Sequence, residues 1–370
     1  MTAYVIPPVN AEAVRSGASR FGITESMLVF SSVPETPPPA YDAGVSYIEG
    51  AEVSQGVVGK EIKVWRSKQA GNLNHPLVEG AWWTYAGSTY SLWDPARNWA
   101  EGDMVIRAAG VHQVYKAVAG GVDATLPEND ASGVHWTSFG ATNRWLMFDM
   151  LAGQPTRAPG PIKLILAPGA VSALGMIGVS EGASTFSMTA YGNPVWGPEV
   201  VNLDTTVISS WEDYFFEPFA PLGNIVRLDL PSYAEGLITV DIDAGETFSL
   251  QWLVLGSWTD IGETKKGPRV RDRSGVQVKR NKFNDIEAIE VNGLITEINQ
   301  TMWIEKAKLL KARRALRIAC ACPSIVMGLH DSTDEYAELL TQLGIVTDCD
   351  IDAAEVPEAL INLQTESVLS

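Results

Sequence analysis

At 370 residues, with 27 basic and 44 acidic side chains giving a formal charge of −17, the chain is long enough for two to three domains. Its acidity argues against nucleic acid or an anionic membrane as the main partner. A hydrophobic content of 46% excludes a disordered polypeptide, and with no apolar run of about 18 residues no membrane span is predicted.

The opening MTAYVIPPVN lacks a basic n-region and an apolar core, so it does not read as a secretory signal, and synthesis and folding in a cytoplasm are expected. NAEAVRSGA reads as a weak helix and SMLVFSSV as a short apolar stretch. PETPPPAYD reads as a polyproline-like spacer that separates residues 1–33 from the rest of the chain. Residues 1–39 are therefore expected to be an N-terminal arm with a Pro-rich linker, either frayed or docked on a neighbouring subunit.

A repeat comes next. Tyr41, Asp42, Tyr47, Glu49, Gly50 and Val53 recur as Trp93, Asp94, Trp99, Glu101, Gly102 and Val105, all at a lag of 52. IKVWRS and HQVYKA then pair Trp65 with Tyr115, and the units close on WTYAG from Trp83 and WTSFG from Trp136. Each unit, residues 40–88 and 92–141, reads as a tight Gly turn, a hairpin, a long loop and a closing strand. Gly50, Gly102 and Asp103 supply the turn chemistry. Some fifty residues cannot bury an ordinary core, so Trp65, Trp83, Tyr115 and Trp136 are expected at the module centres. Trp82, beside Trp83 on a strand, should face the other way and, with Tyr85, Trp93 and Trp99, is a candidate for stacking on sugar.

At TNRWLMFDMLAG the period changes. Residues 142–262 alternate short strands with Gly or Pro turns, which favours an antiparallel β-sandwich over a parallel α/β sheet. Residues 263–370 read as a small α+β region. It has a basic hairpin (Lys265–Lys282) and an amphipathic helix over 300–314, with Trp303, Ala307, Leu310 and Ala315 on one face. A strand through ALRIACACPSIVMGL comes after the helix, and then a short segment with a capping box at Ser332 and Glu335 that ends at Gly344. The predicted fold class is mainly β: two small tandem β modules, a β-sandwich, and an α+β C-terminal region with one amphipathic helix.

Little points to catalysis or cofactors. The three cysteines, Cys320, Cys322 and Cys349, make no disulfide framework; Cys320 and Cys322 are expected on a strand, with Cys349 the one plausible bridging partner. The histidines, His75, His112, His135 and His330, have no metal-ligand spacing and read as surface residues. SWEDYFFEPF places Glu212, Asp213 and Glu217 among aromatics, but adjacent carboxylates on a strand point to opposite faces, unlike a glycosidase pair. No catalytic residue, metal or cofactor is assigned.

The pattern W…WAEGDMV…VYKA…P…W resembles the small carbohydrate-binding modules attached to chitinases and to phage tail proteins. It departs from the chitin-binding members after the Tyr-x-Ala strand, where VAGG and KQAG replace an exposed aromatic pair. TNRWLMFD is similar to the stretch found directly after such modules in phage tail proteins. On this resemblance Asn143, Arg144 and Asp149 are junction residues between module and sandwich. The order of hairpin, helix and strands at the end resembles the C-terminal half of distal-tail-like proteins. The resemblance implies a virion component of a tail tip or baseplate, contacting other tail proteins in a homo-oligomeric ring, with modules that meet host surface polysaccharide. The alternatives are a secreted glycan-processing enzyme with accessory modules, and modules that are spacers without sugar binding.

Overall fold

The computed structural model describes residues 2–122, 125–151, 154–180, 183–202, 223–243, 248–265, 267–280, 286–329, 339–353 and 357–368. The fold is mainly β, with two α-helices among the described residues, Ala11–Arg15 and Lys306–Ala319.

Each repeat makes three antiparallel strands with a two-residue ribbon beside them, and in the second Ser91–Leu92 adds a fourth strand parallel to Met104–Arg107. In the first, Ile62–Ser67 lies between Glu52–Gly56 and Trp83–Thr89, and Ser46–Tyr47 pairs with Asn72–Leu73. In the second, Gln113–Ala117 lies between Met104–Arg107 and Trp136–Ala141, and Asn98–Trp99 pairs with Gly121–Val122. The lag of 52 reappears in the backbone: Tyr41 N donates to Ser54 O at 3.0 Å, and Trp93 N to Ile106 O at 3.1 Å. Both sheets also bulge at matched places, between Val64 and Trp65 and between Val114 and Tyr115.

Two antiparallel sheets form the sandwich. One runs Thr156–Ala158, Phe248–Gly256, Ala173–Val179, Asn224–Arg227. The other runs Asn193–Asn202, Ala183–Ala190, Gly236–Asp243, Ile162–Leu166, Leu28–Ser31. The period-two pattern of ASTFSMTA puts Phe186 and Met188 into the core with Leu164, Val240 and Leu250.

Residues 1–39 differ from the expected arm. Thr2–Ile6 is an inner strand of the C-terminal seven-stranded sheet, between Thr259–Thr264 and Ser324–Met327. Its Ala3 and Val5 bury into the helix-covered core, so the apolar residues of TAYVI find their partners within the same chain. Leu28–Ser31, in turn, is an edge strand of the sandwich. The Pro-rich stretch is not a free spacer either, since Val33, Pro34 and Glu35 are buried.

The C-terminal helix also departs from 300–314. Residues up to Glu305 continue the strand Ile286–Glu305, and the helix spans Lys306–Ala319. Ile298, Gln300, Met302 and Ile304 alternate inward with period two, and that strand pattern outweighs the helix formers beyond it. The buried helical face is Ala312, Ala315, Leu316 and Ala319, while Leu310 is 60% exposed and Trp303 lies on the strand. Cys320 consequently caps the helix and Cys322 is buried in the turn after it, neither being on a strand. Gly344 ends no segment but lies within the strand Thr341–Asp352; Ser332, Glu335 and His330 fall outside the described residues.

Candidate functional site

The glycines of the two Glu-Gly turns, Gly50 and Gly102, adopt φ of 80° and 81°, a left-handed backbone that glycine adopts without steric cost. Their amides donate to Ser67 O and Ala117 O at 2.8 and 2.9 Å, tying each turn to its hairpin. Aromatics fill both small cores: Trp65 and Trp83 with Val53 in the first, Trp99, Tyr115 and Trp136 with Val105 in the second.

The four candidate stacking residues fare differently. Trp99 is 2% exposed, packs edge-on to Trp136 and donates its indole N–H to Asp94 O at 3.1 Å, so it is a core residue and offers no face to a sugar. Its direction is set by the ribbon Asn98–Trp99, which turns Asn98 out and Trp99 in. Trp93 is half-buried with the Arg107 guanidinium 5.4 Å from its ring centroid, and Arg107 is itself held by Glu128 at 2.9 Å. Trp82 is half-buried under His75, stacked at 3.9 Å and 11°. Tyr85 leans on Trp65 at 5.5 Å.

Tyr85 also lines a cleft of about 380 Å³ where the first module, the second module and the sandwich meet. Pro34 and Pro159 make apolar walls; Tyr85, Tyr90 and Ser88 bring hydroxyls, and Arg157 an exposed guanidinium. Burial and the charge of Glu61 push both tyrosine phenols up, so they stay protonated donors at neutral pH. The lining contains no carboxylate. Apolar walls with several hydroxyl groups and one guanidinium are the kind of lining that a polyhydroxylated ligand can engage.

The modules are locked end to end. Gly59, at the tip of the first module's hairpin, receives Met104 N at 2.8 Å on its carbonyl, and its neighbour Lys60 pairs with Asp103 at 2.9 Å. A Cβ on Gly59 would stand 2.6 Å from the Asp103 carboxyl carbon, so only glycine permits this approach. Burial alone would raise the Asp103 carboxyl, but the Ala100 amide, Lys60 and Arg97 hold it below the usual carboxylate range.

The second module's hairpin ends in a matching lock that sequence reasoning missed. His112 is buried, not a surface residue, and stacks on Trp145 at 3.9 Å. Its Nδ1 lies 2.9 Å from Glu35 Oε1, which also accepts the Thr142 hydroxyl at 2.9 Å; Arg144 stands 3.8 Å from Oε2. The Thr89 hydroxyl donates to the Glu35 carbonyl. No local signal marks Glu35, because His112 and Thr142 lie 77 and 107 residues away. Tyr90 and Arg157, equally unmarked, gain their place from the same folding-back.

Asn143 and Arg144 follow directly on the second module's last strand, whereas Asp149 joins residues 1–39 to the sandwich, through Arg20 and the Trp252 indole, and does not reach the module. The Asn143 side chain brackets Arg157, donating to its carbonyl at 2.7 Å and accepting its amide at 2.9 Å. Arg144 donates to Val33 O at 2.6 Å, and buried Asp149 pairs with Arg20. Glu212, Asp213 and Glu217 lie outside the described residues. Among the described residues no group of three metal-ligating side chains occurs. Compared with known proteins, the chain matches no family model, no curated protein and no solved structure.

Proposed function

We propose that the chain is a structural subunit of a phage tail tip or baseplate, its two modules acting as a rigid projection from the sandwich and not as a pair of free lectins. The observation that carries this reading is the double lock, Gly59–Lys60 on Asp103 and His112 on Glu35, together with repeat aromatics turned to core or cover. A freely swinging lectin needs exposed aromatic faces and a loose tether, and neither kind of feature is present at Trp99 or at the Pro-rich stretch. Virion identity and contact with other tail proteins rest on the resemblance of WAEGDMV, VYKA and TNRWLMFD. Gold labelling of the chain in particles made by its source should mark the distal tail end. Label on the head, or particles lacking the chain, overturns the assignment.

Sugar contact is a second, narrower reading, favoured by the cleft of Tyr85, Tyr90 and Arg157. Titration of the full chain with host surface polysaccharide, followed by intrinsic fluorescence, should saturate and be lost in a Tyr85→Ala, Tyr90→Ala variant. Equal binding by that variant rejects the cleft, and an absence of binding leaves the modules as spacers.

A further inference from the structure

The C-terminal sheet carries a polar face on the side away from its helix. In the strand Ile286–Glu305, Met302 and Ile304 pack against the helix, so Asn299 and Thr301 point the other way. The same alternation in Glu358–Ser367 buries Ile361 and Leu363 and turns Asn362 and Gln364 out. Beyond the bulge in Thr341–Asp352, Cys349 and Ile351 pack inward, which leaves Asp348 and Asp350 on the outer face. Register then lines these residues up. Arg269 stands opposite Asn299, Asn299 opposite Gln364, and Gln364 opposite Asp348. In the neighbouring row Thr301 stands opposite Asn362 and Asn362 opposite Asp350, while the Thr301 carbonyl accepts the Lys265 amide at 2.8 Å. Both rows run from a cation through neutral hydrogen-bonding groups to a carboxylate.

The rows floor a depression of about 270 Å³, with Lys265 and Arg269 at one end and Asp348 at the other. Across adjacent strands about 4.8 Å apart, the two ends are separated by roughly 14 Å, room for a pair of linked sugar rings. The Lys265 ammonium lies 5.3 Å from the Trp303 ring centroid, which holds it against the sheet. The Thr301 hydroxyl donates to Asn362 Oδ1 at 2.9 Å, leaving that amide's N–H groups for a ligand. Lys265, Arg269 and Asp348 have no ion-pair partner among the described residues. Amides and carboxylates side by side both donate to and accept from vicinal hydroxyls, and a guanidinium beside an ammonium receives a carboxylate. A neutral sugar would leave the two cations unused. A small carboxylate would leave the amides and Asp348 unused.

We infer that this face is a binding site for a carboxylated saccharide, with the carboxylate at Lys265 and Arg269 and the ring hydroxyls along Asn299, Gln364, Asn362 and Asp348. The site shares no residue with the Tyr85 cleft and depends on neither reading of the modules.

An array of uronate- and sialate-bearing oligosaccharides, each beside its neutral counterpart, tests it with the labelled full-length chain at about 0.15 M salt. The chain should hold carboxylated members at least about tenfold more tightly than their neutral counterparts. Lys265→Ala, Arg269→Ala should abolish that preference. Asn299→Ala, Gln364→Ala, which leaves the charges in place, should weaken binding by about tenfold. Tyr85→Ala, Tyr90→Ala should bind as wild type does. Circular dichroism and Tm show which variants are folded. Should the amide pair fail to fold, the isosteric Asn299→Asp, Gln364→Glu pair makes the same test, since it sets negative charge beside the bound carboxylate. A chain with no preference for carboxylated members overturns the inference. So does a folded amide variant that binds as tightly as wild type, because the attraction is then one of charge alone. Loss confined to the Tyr85, Tyr90 variant also overturns it, and assigns the sugar to the cleft between the modules.

Discussion

Glu35 shows how one side chain can hold three parts of a protein together. It is 6% exposed, comes from the Pro-rich stretch, takes His112 from the second module, and meets Thr142 and Arg144 at the start of the sandwich. Burial by itself would raise its carboxyl; the hydrogen bond and charge of His112, the Thr142 hydroxyl and Arg144 outweigh that and hold it below its ordinary value of 4.5. A depressed carboxylate contributes stability that is fully present above 4.5 and is lost as pH falls through the folded value. Glu35→Ala should therefore cost about 2–3 kcal/mol at neutral pH, and the gap from wild type should narrow below about pH 4. Thermal melts of both proteins across that range check it, and a gap independent of pH would refute the assignment. Nothing near PETPPP announces this role, because a glutamate among prolines reads locally as solvated turn.

At the scale of elements, repetition is legible in the sequence and register is not. The recurring Tyr47 and Trp99 positions fold into equivalent ribbons, yet Tyr47 is half-buried and Trp99 fully so. A two-residue ribbon carries too little pattern to tell face from core. The long helix reads five or six residues early because TEINQTMWIEKAKLL satisfies a period of two and a period of 3.6 in overlapping windows. The inward residues decide the matter, and they yield a contrast that the 300–314 placement reverses. Leu316→Ala, in a fully buried position, should cost about 3 kcal/mol, whereas Leu310→Ala should change stability by less than about 0.5 kcal/mol. Denaturant unfolding of the two variants measures the difference, and equal losses would mean that the helix buries its other face.

For the whole molecule, the sandwich is readable from alternation and turn spacing, as in ASTFSMTA and GLITVDID, because those strands pair with near neighbours or match one buried face. The path of residues 2–6 is not, since TAYVI draws its partners from Thr259–Thr264 and Ser324–Met327, more than 250 positions on. Val5 is fully buried in that sheet. Val5→Asp, an unpaired charge on an inner strand, should unfold the C-terminal sheet while leaving the module hydrogen bonds protected. Hydrogen exchange read segment by segment would reveal it, and uniform protection would show that the strand is dispensable. The same placement bears on biosynthesis. Residues 2–6 leave the ribosome long before either flanking strand, wait unpaired until Thr259–Thr264 has been made, and gain their second neighbour only with Ser324–Met327. A chain cut short before residue 324 leaves this strand with one edge open, so a prematurely terminated product betrays itself by an unfinished sheet.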